Sequence, residues 1–128
     1  MTTAQQIMTT DLITVNKNTN IYNAVKLMID HNITGLPVID DNSNLVGVLS
    51  EKDVLKLLYD IQDDPGSVEK FMTHSVKTFN HDQDIAEIAQ CFKQNHFRRV
   101  PILKQGKLEG LIIRKDLILH ILKTKHLH

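Results

Sequence analysis

The chain has one cysteine, no tryptophan and three prolines in 128 residues, and no apolar run approaches the length of a membrane span. A helix needs roughly 18 or more apolar residues to cross a bilayer, so the sequence offers no span. A lone Cys91 excludes an intrachain disulfide and suits a reducing compartment. Charge of one sign is also missing: fifteen basic and fifteen acidic residues leave a formal net charge of zero. A nucleic-acid binder that relies on a global positive field is thereby disfavoured, which leaves only a local basic patch. Met1–Gln6 is polar and lacks the apolar core of a signal peptide, so a cytoplasmic protein is expected. There is no glycine-rich phosphate loop, nucleophile elbow or paired-carboxylate motif, so no catalytic residue is assigned. The histidines are scattered (His31, His74, His81, His96) or gathered at the end (His120, His126, His128). A metal site needs three or four convergent ligands, so no metal is expected either.

What the chain does have is a repeat. Ile7–Leu58 and Phe71–Ile121 align at an offset of 64, which becomes 63 after a one-residue deletion near Asn42. Met8-Thr9 recurs as Met72-Thr73, Thr14 as Thr78, Asn16 as Asn80, Ile21 as Ile85 and Pro37 as Pro101. Beyond the deletion, Leu45, Gly47, Lys52 and Asp53 recur as Leu108, Gly110, Lys115 and Asp116. Each copy of about 50 residues is too small for a large core of its own. Two copies are too few for an open solenoid, which points to a closed, pseudo-twofold pair sharing one core. The expected domains are repeat 7–58, linker 59–67, repeat 68–122 and tail 123–128.

Both copies spell the same element order. A short strand, around Ile13-Thr14-Val15 or Val76–Phe79, precedes an amphipathic helix. Ile21, Ala24, Val25, Met28 and Ile29 recur at helical spacing, as do Ile85, Ile88, Ala89 and Phe92. Thr19 or Asn20, and Asp82 or Asp84, are candidate caps, because their side-chain oxygens can accept first-turn amides. Two β-branched runs flank a polar turn in each copy, Leu36–Ile39 with Leu45–Leu49 and Val100–Leu103 with Leu108–Ile113, as hairpin strands do. A second helix closes each unit. The predicted fold is α/β, β-α-β-β-α twice over.

This order resembles the cystathionine-β-synthase (CBS) domain family, arranged as the tandem pair called a Bateman module. The first copy carries the resemblance in Ile7-Met8-Thr9, Gly35–Asp40 and Leu45–Asp53; the second carries it in Phe71-Met72-Thr73, Arg99–Leu103 and Leu108–Asp116. The resemblance implies a regulatory module that takes an adenosine-containing ligand in clefts between the copies and assembles as a homodimer. It implies no required cofactor. The regulated partner protein is not identified by it.

A nucleotide asks three things of a protein. A carboxylate suits the ribose diol, cations and free amides suit phosphates, and an apolar slot suits the base. By resemblance, Asp53 holds the ribose in the first cleft and Ser50 contacts ribose or phosphate. Val76, Lys77, Thr78 and Phe97 face base and sugar, while Arg98, Arg99 and Lys115 meet phosphate. The plain alternative is that Ser50 and Asp53 only cap a helix and that Arg98-Arg99 is a solvated loop. The second cleft departs from the pattern. Asp116 keeps the carboxylate, but Ile113 replaces the serine and Thr34-Gly35 stand where the arginine pair stands. Leu12, Ile13, Thr14 and Ile33 would line it, with Lys52 as its nearest cation. The expected function is binding of AMP, ADP or ATP and signalling through a change of shape. The alternatives are an S-adenosylmethionine-type ligand and a ligand-free interaction scaffold.

Overall fold

The computed structural model describes residues 1–59, 63–95 and 97–125. The expected linker therefore falls partly, at residues 60–62, outside the described residues, as do His96 and the last three residues. The chain separates into two compact units. One is Ile13–Val76; the other joins Met1–Leu12 to Lys77–His128.

The N-terminal unit runs β1 (Val15–Asn16), α2 (Ile21–Asp30), β2 (Gly35–Ile39), β3 (Leu45–Ser50) and α3 (Glu51–Leu55), where α3 tightens into a 3₁₀ turn at Lys56–Leu58. The short helix α1 (Ala4–Ile7) precedes these in the chain and belongs to the other unit. That C-terminal unit continues with β4 (Phe79–Asn80), α4 (Ile85–Gln94), β5 (Arg99–Lys104), β6 (Lys107–Ile113) and α5 (Arg114–Thr124). Each unit holds a three-stranded sheet of the same order, β1-β2-β3 and β4-β5-β6. The first pair in each sheet is parallel and the second antiparallel. Even the irregularity repeats: a register shift falls at Val38/Ile39 in one sheet and at Ile102/Leu103 in the other.

The helices start where a side chain can accept a free amide. Asn20 Oδ1 accepts the Tyr22 N–H at 2.9 Å, and Asp84 Oδ1 accepts the Ala86 N–H at 3.0 Å. The opening strands are shorter than expected and begin later. Only Val15-Asn16 and Phe79-Asn80 find partners, on Val38-Ile39 and Ile102-Leu103, so Ile13, Thr14 and Val76–Thr78 run in without a ladder.

Burial corrects the expectation of one shared core. Val15, Ile21, Ala24, Met28, Leu36, Val38 and Leu49 form one cluster; Phe79, Ile88, Phe92, Val100, Ile102 and Ile112 form another. Each small core is completed by a strap from outside its own β-α-β-β-α run. Val68 and Met72 enter the first cluster, from a 3₁₀ turn at Val68–Lys70. Ala4 enters the second, with Ile7 and Met8 packed against it. The straps dock by backbone pairing. Thr73 exchanges bonds with Val48 at 2.9 and 3.0 Å, and Thr9 exchanges bonds with Leu111 at 2.9 and 3.0 Å.

This docking explains the repeated glycines. A Cβ on Gly47 would lie 2.7 Å from the Thr73 carbonyl oxygen and 2.8 Å from Met72 Sδ. On Gly110 it would lie 2.9 Å from the Thr9 carbonyl oxygen and 2.5 Å from Met8 Sδ. Cys91 is buried in the second core. Of the closing-helix residues, Leu57 is buried, whereas Leu58, Ile121 and Leu122 are exposed.

Candidate functional site

A carboxylate stands at the head of each closing helix, at Asp53 and at Asp116. Strand β3 ends at Ser50, which has extended backbone geometry and serves as the N-cap of α3. Asp53, three residues on, turns back onto it. Asp53 Oδ2 accepts the Ser50 N–H at 2.9 Å and the Ser50 hydroxyl at 3.0 Å. The Ser50 oxygen in turn accepts the Asp53 N–H at 3.3 Å. This reciprocal pair satisfies free donors at the helix start. A further donor comes from the strap: the Thr73 hydroxyl lies 3.2 Å from Oδ1 and 3.3 Å from Oδ2. Lys56 Nζ stands 3.8 Å from Oδ1, but its side chain is 64% exposed, so its pull is screened by water. Asp53 is only 5% exposed, and it is the one buried charged side chain among the described residues. Burial of a carboxylate is tolerable here because donors surround it.

Asp116 repeats the geometry with fewer partners. Its Oδ2 accepts the Ile113 N–H at 2.8 Å, and the Thr9 hydroxyl approaches Oδ1 at 3.5 Å. Ile113 carries no hydroxyl, so the reciprocal bond to the helix amide is absent from its side chain. Asp116 is half-buried rather than buried. Thr9 and Thr73 were not singled out as site residues from sequence. The signal was present in the recurrence of Met-Thr, which has no assigned partner until the straps are seen to dock.

The remaining expected residues divide between the units. Of the first set, Ser50, Asp53 and Val76 lie in the N-terminal unit, and Lys77, Thr78, Phe97, Arg98, Arg99 and Lys115 lie in the C-terminal one. Lys77 and Phe97 are brought together on the wall of a cavity of about 400 Å³, which Phe79, Cys91 and Asn95 also line. Lys77 Nζ sits 4.8 Å from the centre of the Phe79 ring, within cation–π range. Arg98 is exposed just before β5, and half-buried Arg99 is the first residue of that strand. Lys115 is exposed in the first turn of α5.

Of the second set, Leu12 and Asp116 lie in the C-terminal unit and Ile13, Thr14, Ile33, Thr34, Gly35 and Lys52 in the N-terminal one. Ile13 and Ile33 pack against the first core. The Thr34 carbonyl accepts the Glu51 N–H at 3.1 Å, Gly35 opens β2, and Lys52 is exposed beside Asp53 in α3. Among the described residues, no three histidine, cysteine or acidic side chains are grouped to hold a metal ion. No helix among them is long and apolar enough to cross a membrane.

A model of the CBS domain matches the chain twice, over residues 4–60 and 68–123. The chain belongs to the CBS domain family. The two matches make it a tandem CBS pair, in agreement with the resemblance read from its repeat. It is 37% identical over 117 residues to an uncharacterised 17.7 kDa protein of Acidianus ambivalens, spanning 91% of this chain and 71% of that one. Other relatives are longer: the chain spans 41% and 33% of two proteins of Methanocaldococcus jannaschii. Among solved structures, CBSX2 in complex with AMP is similar at a TM-score of 0.88, with 32% identity and coverage of 98% of this chain and 99% of that one. CBSX2 comes from Arabidopsis thaliana. The CBS domain pair of MJ0100 in complex with 5-methylthioadenosine and S-adenosyl-L-methionine is similar at a TM-score of 0.78, with 27% identity over 98% of both chains.

Proposed function

We propose that this CBS pair is a regulatory module that binds an adenosine-containing ligand, with the Asp53 carboxylate accepting the ribose hydroxyls. The observation that carries the reading is a buried carboxylate held in a ring of donors at the start of a helix, in a chain similar to CBSX2, whose structure contains AMP. Arg98 and Arg99 are assigned the phosphate, because charge-assisted hydrogen bonds from guanidinium suit phosphate oxygens. AMP, ADP and ATP are the ligands this favours. Ligand binding signals to a regulated protein by favouring one conformation, which requires different affinity for two states. The role is regulatory and not catalytic.

A second reading applies to Asp116. It keeps a carboxylate and has Thr34-Gly35 where the first set has Arg98-Arg99, so it suits an adenosyl ligand without phosphate. The MJ0100 pair, in complex with 5-methylthioadenosine and S-adenosyl-L-methionine, supports that class of ligand. We further infer a homodimer, because Ile118, Leu119, Ile121 and Leu122 of α5 remain exposed on the single chain. A thermal-shift series with adenosine, AMP, ATP and S-adenosylmethionine tests the reading. A ligand at about 100 times its dissociation constant adds about 2.7 kcal/mol, which moves the midpoint by several degrees. AMP or ATP should stabilise more than adenosine. Silence from all four would leave the scaffold reading in possession.

A further inference from the structure

We infer that Thr73 is a displaceable latch on Asp53, and that its hydroxyl sets how strongly the site discriminates ligands that carry a vicinal diol. The inference rests on the reading of Asp53 as the ribose acceptor and adds a residue which that reading does not contain.

A carboxylate offers about four lone-pair positions, two on each oxygen. Both positions of Oδ2 are matched by Ser50, through its N–H at 2.9 Å and its hydroxyl at 3.0 Å. The Thr73 hydroxyl has one proton to give and stands almost equally far from the two oxygens, at 3.2 and 3.3 Å. With Oδ2 already matched, that proton belongs on Oδ1, which leaves one position open. A ribose diol brings two donors. Something must therefore give way.

Thr73 is the donor that yields most easily. Its contacts are longer than those of Ser50, and longer than the usual range for a hydroxyl on oxygen. The Ser50 donors are also tied into the cap of α3 through the return bond from the Asp53 N–H, at 3.3 Å. Thr73 is exposed, so its hydroxyl can rotate about χ1 to water. Its backbone need not follow, because it is held to Val48 by two hydrogen bonds of 2.9 and 3.0 Å and by buried Met72 beside it. The other repeat provides the contrast. Around Asp116 the Thr9 hydroxyl stands off at 3.5 Å and Ile113 supplies only a backbone N–H. Its carboxylate keeps room for two donors without displacement, so Thr9 is not a latch.

The test is calorimetric titration of the full chain with AMP and with 2′,3′-dideoxy-AMP, for the wild type, Thr73→Val and Thr73→Ser. Dideoxy-AMP brings no diol and leaves the latch closed. Removing the Thr73 hydroxyl should raise the preference for AMP over dideoxy-AMP by about three- to tenfold, the range of one net hydrogen bond. Thr73→Ser, which keeps the hydroxyl, should match the wild type. A preference in Thr73→Val that is unchanged or lower, with the wild type still preferring AMP, overturns the latch and leaves the ribose reading standing. A wild type that binds neither nucleotide, or both equally, overturns both. Thr73→Ala, with a melting curve, answers the same question if the valine variant does not fold.

Discussion

At the scale of single residues, the two copies differ at the N-cap of the closing helix. Ser50 gives and receives a hydrogen bond with Asp53, whereas Ile113 offers Asp116 only its backbone N–H. A serine cap contributes about 1 kcal/mol over a residue that cannot cap. Ser50→Ala should therefore lower the urea midpoint, and Ile113→Ser should raise it by a similar amount. Ile113 is 39% exposed, so little apolar burial is lost in that exchange. An unchanged midpoint in Ile113→Ser would show that the α5 amides are already satisfied some other way. Both carboxylates were legible in the sequence, because the pattern of Ser50–Asp53 and its partial copy at Ile113–Asp116 is local. Thr9 and Thr73 were not. Each lies far from its carboxylate in the chain, and a recurring dipeptide does not say what it touches.

At the scale of elements, the strap is the unit that matters. Hairpins and helices were readable from hydrophobic pattern and caps from residue type, because each is decided by neighbours within one turn or one strand. The straps were not, since α1 and the Val68–Lys70 turn are only four and three residues long and carry no period. Their effect is registered instead in Gly47 and Gly110, whose recurrence could be seen but whose reason lies in a distant backbone. Gly47→Ala would push a methyl group to 2.7 Å from the Thr73 carbonyl oxygen, so either strap or strand must shift. Overpacking of this kind costs about 1–3 kcal/mol. Chemical denaturation should report a loss in that range for Gly47→Ala and likewise for Gly110→Ala. Gly106→Ala is the control for crowding, since nothing lies within 4 Å of a Cβ there, although its φ of +80° adds strain of its own. Hydrogen exchange would separate the two straps. Gly110→Ala should speed exchange of the Leu111 amide, bonded to Thr9, and leave the Val48 amide, bonded to Thr73, protected.

At the scale of the whole molecule, the formal charge is zero and the exposed apolar side chains gather on the closing helices. Leu55, Leu58 and Tyr59 are exposed around α3, and Ile118, Leu119, Ile121 and Leu122 on α5. The last helix buries none of its residues within the single chain. If a second copy covers that face, sedimentation equilibrium should give twice the 14.6 kDa chain mass, and Ile121→Asp should return it toward the monomer. A monomeric wild type would refute the homodimer. The account as a whole turns on what Asp53 holds, and the crystal structure of the full chain grown with AMP tests that most directly. The account predicts ribose hydroxyls within hydrogen-bonding distance of the Asp53 carboxylate and the Thr73 hydroxyl turned away from it. AMP bound elsewhere, with Asp53 still paired to Ser50 and Thr73 as it is here, would contradict it.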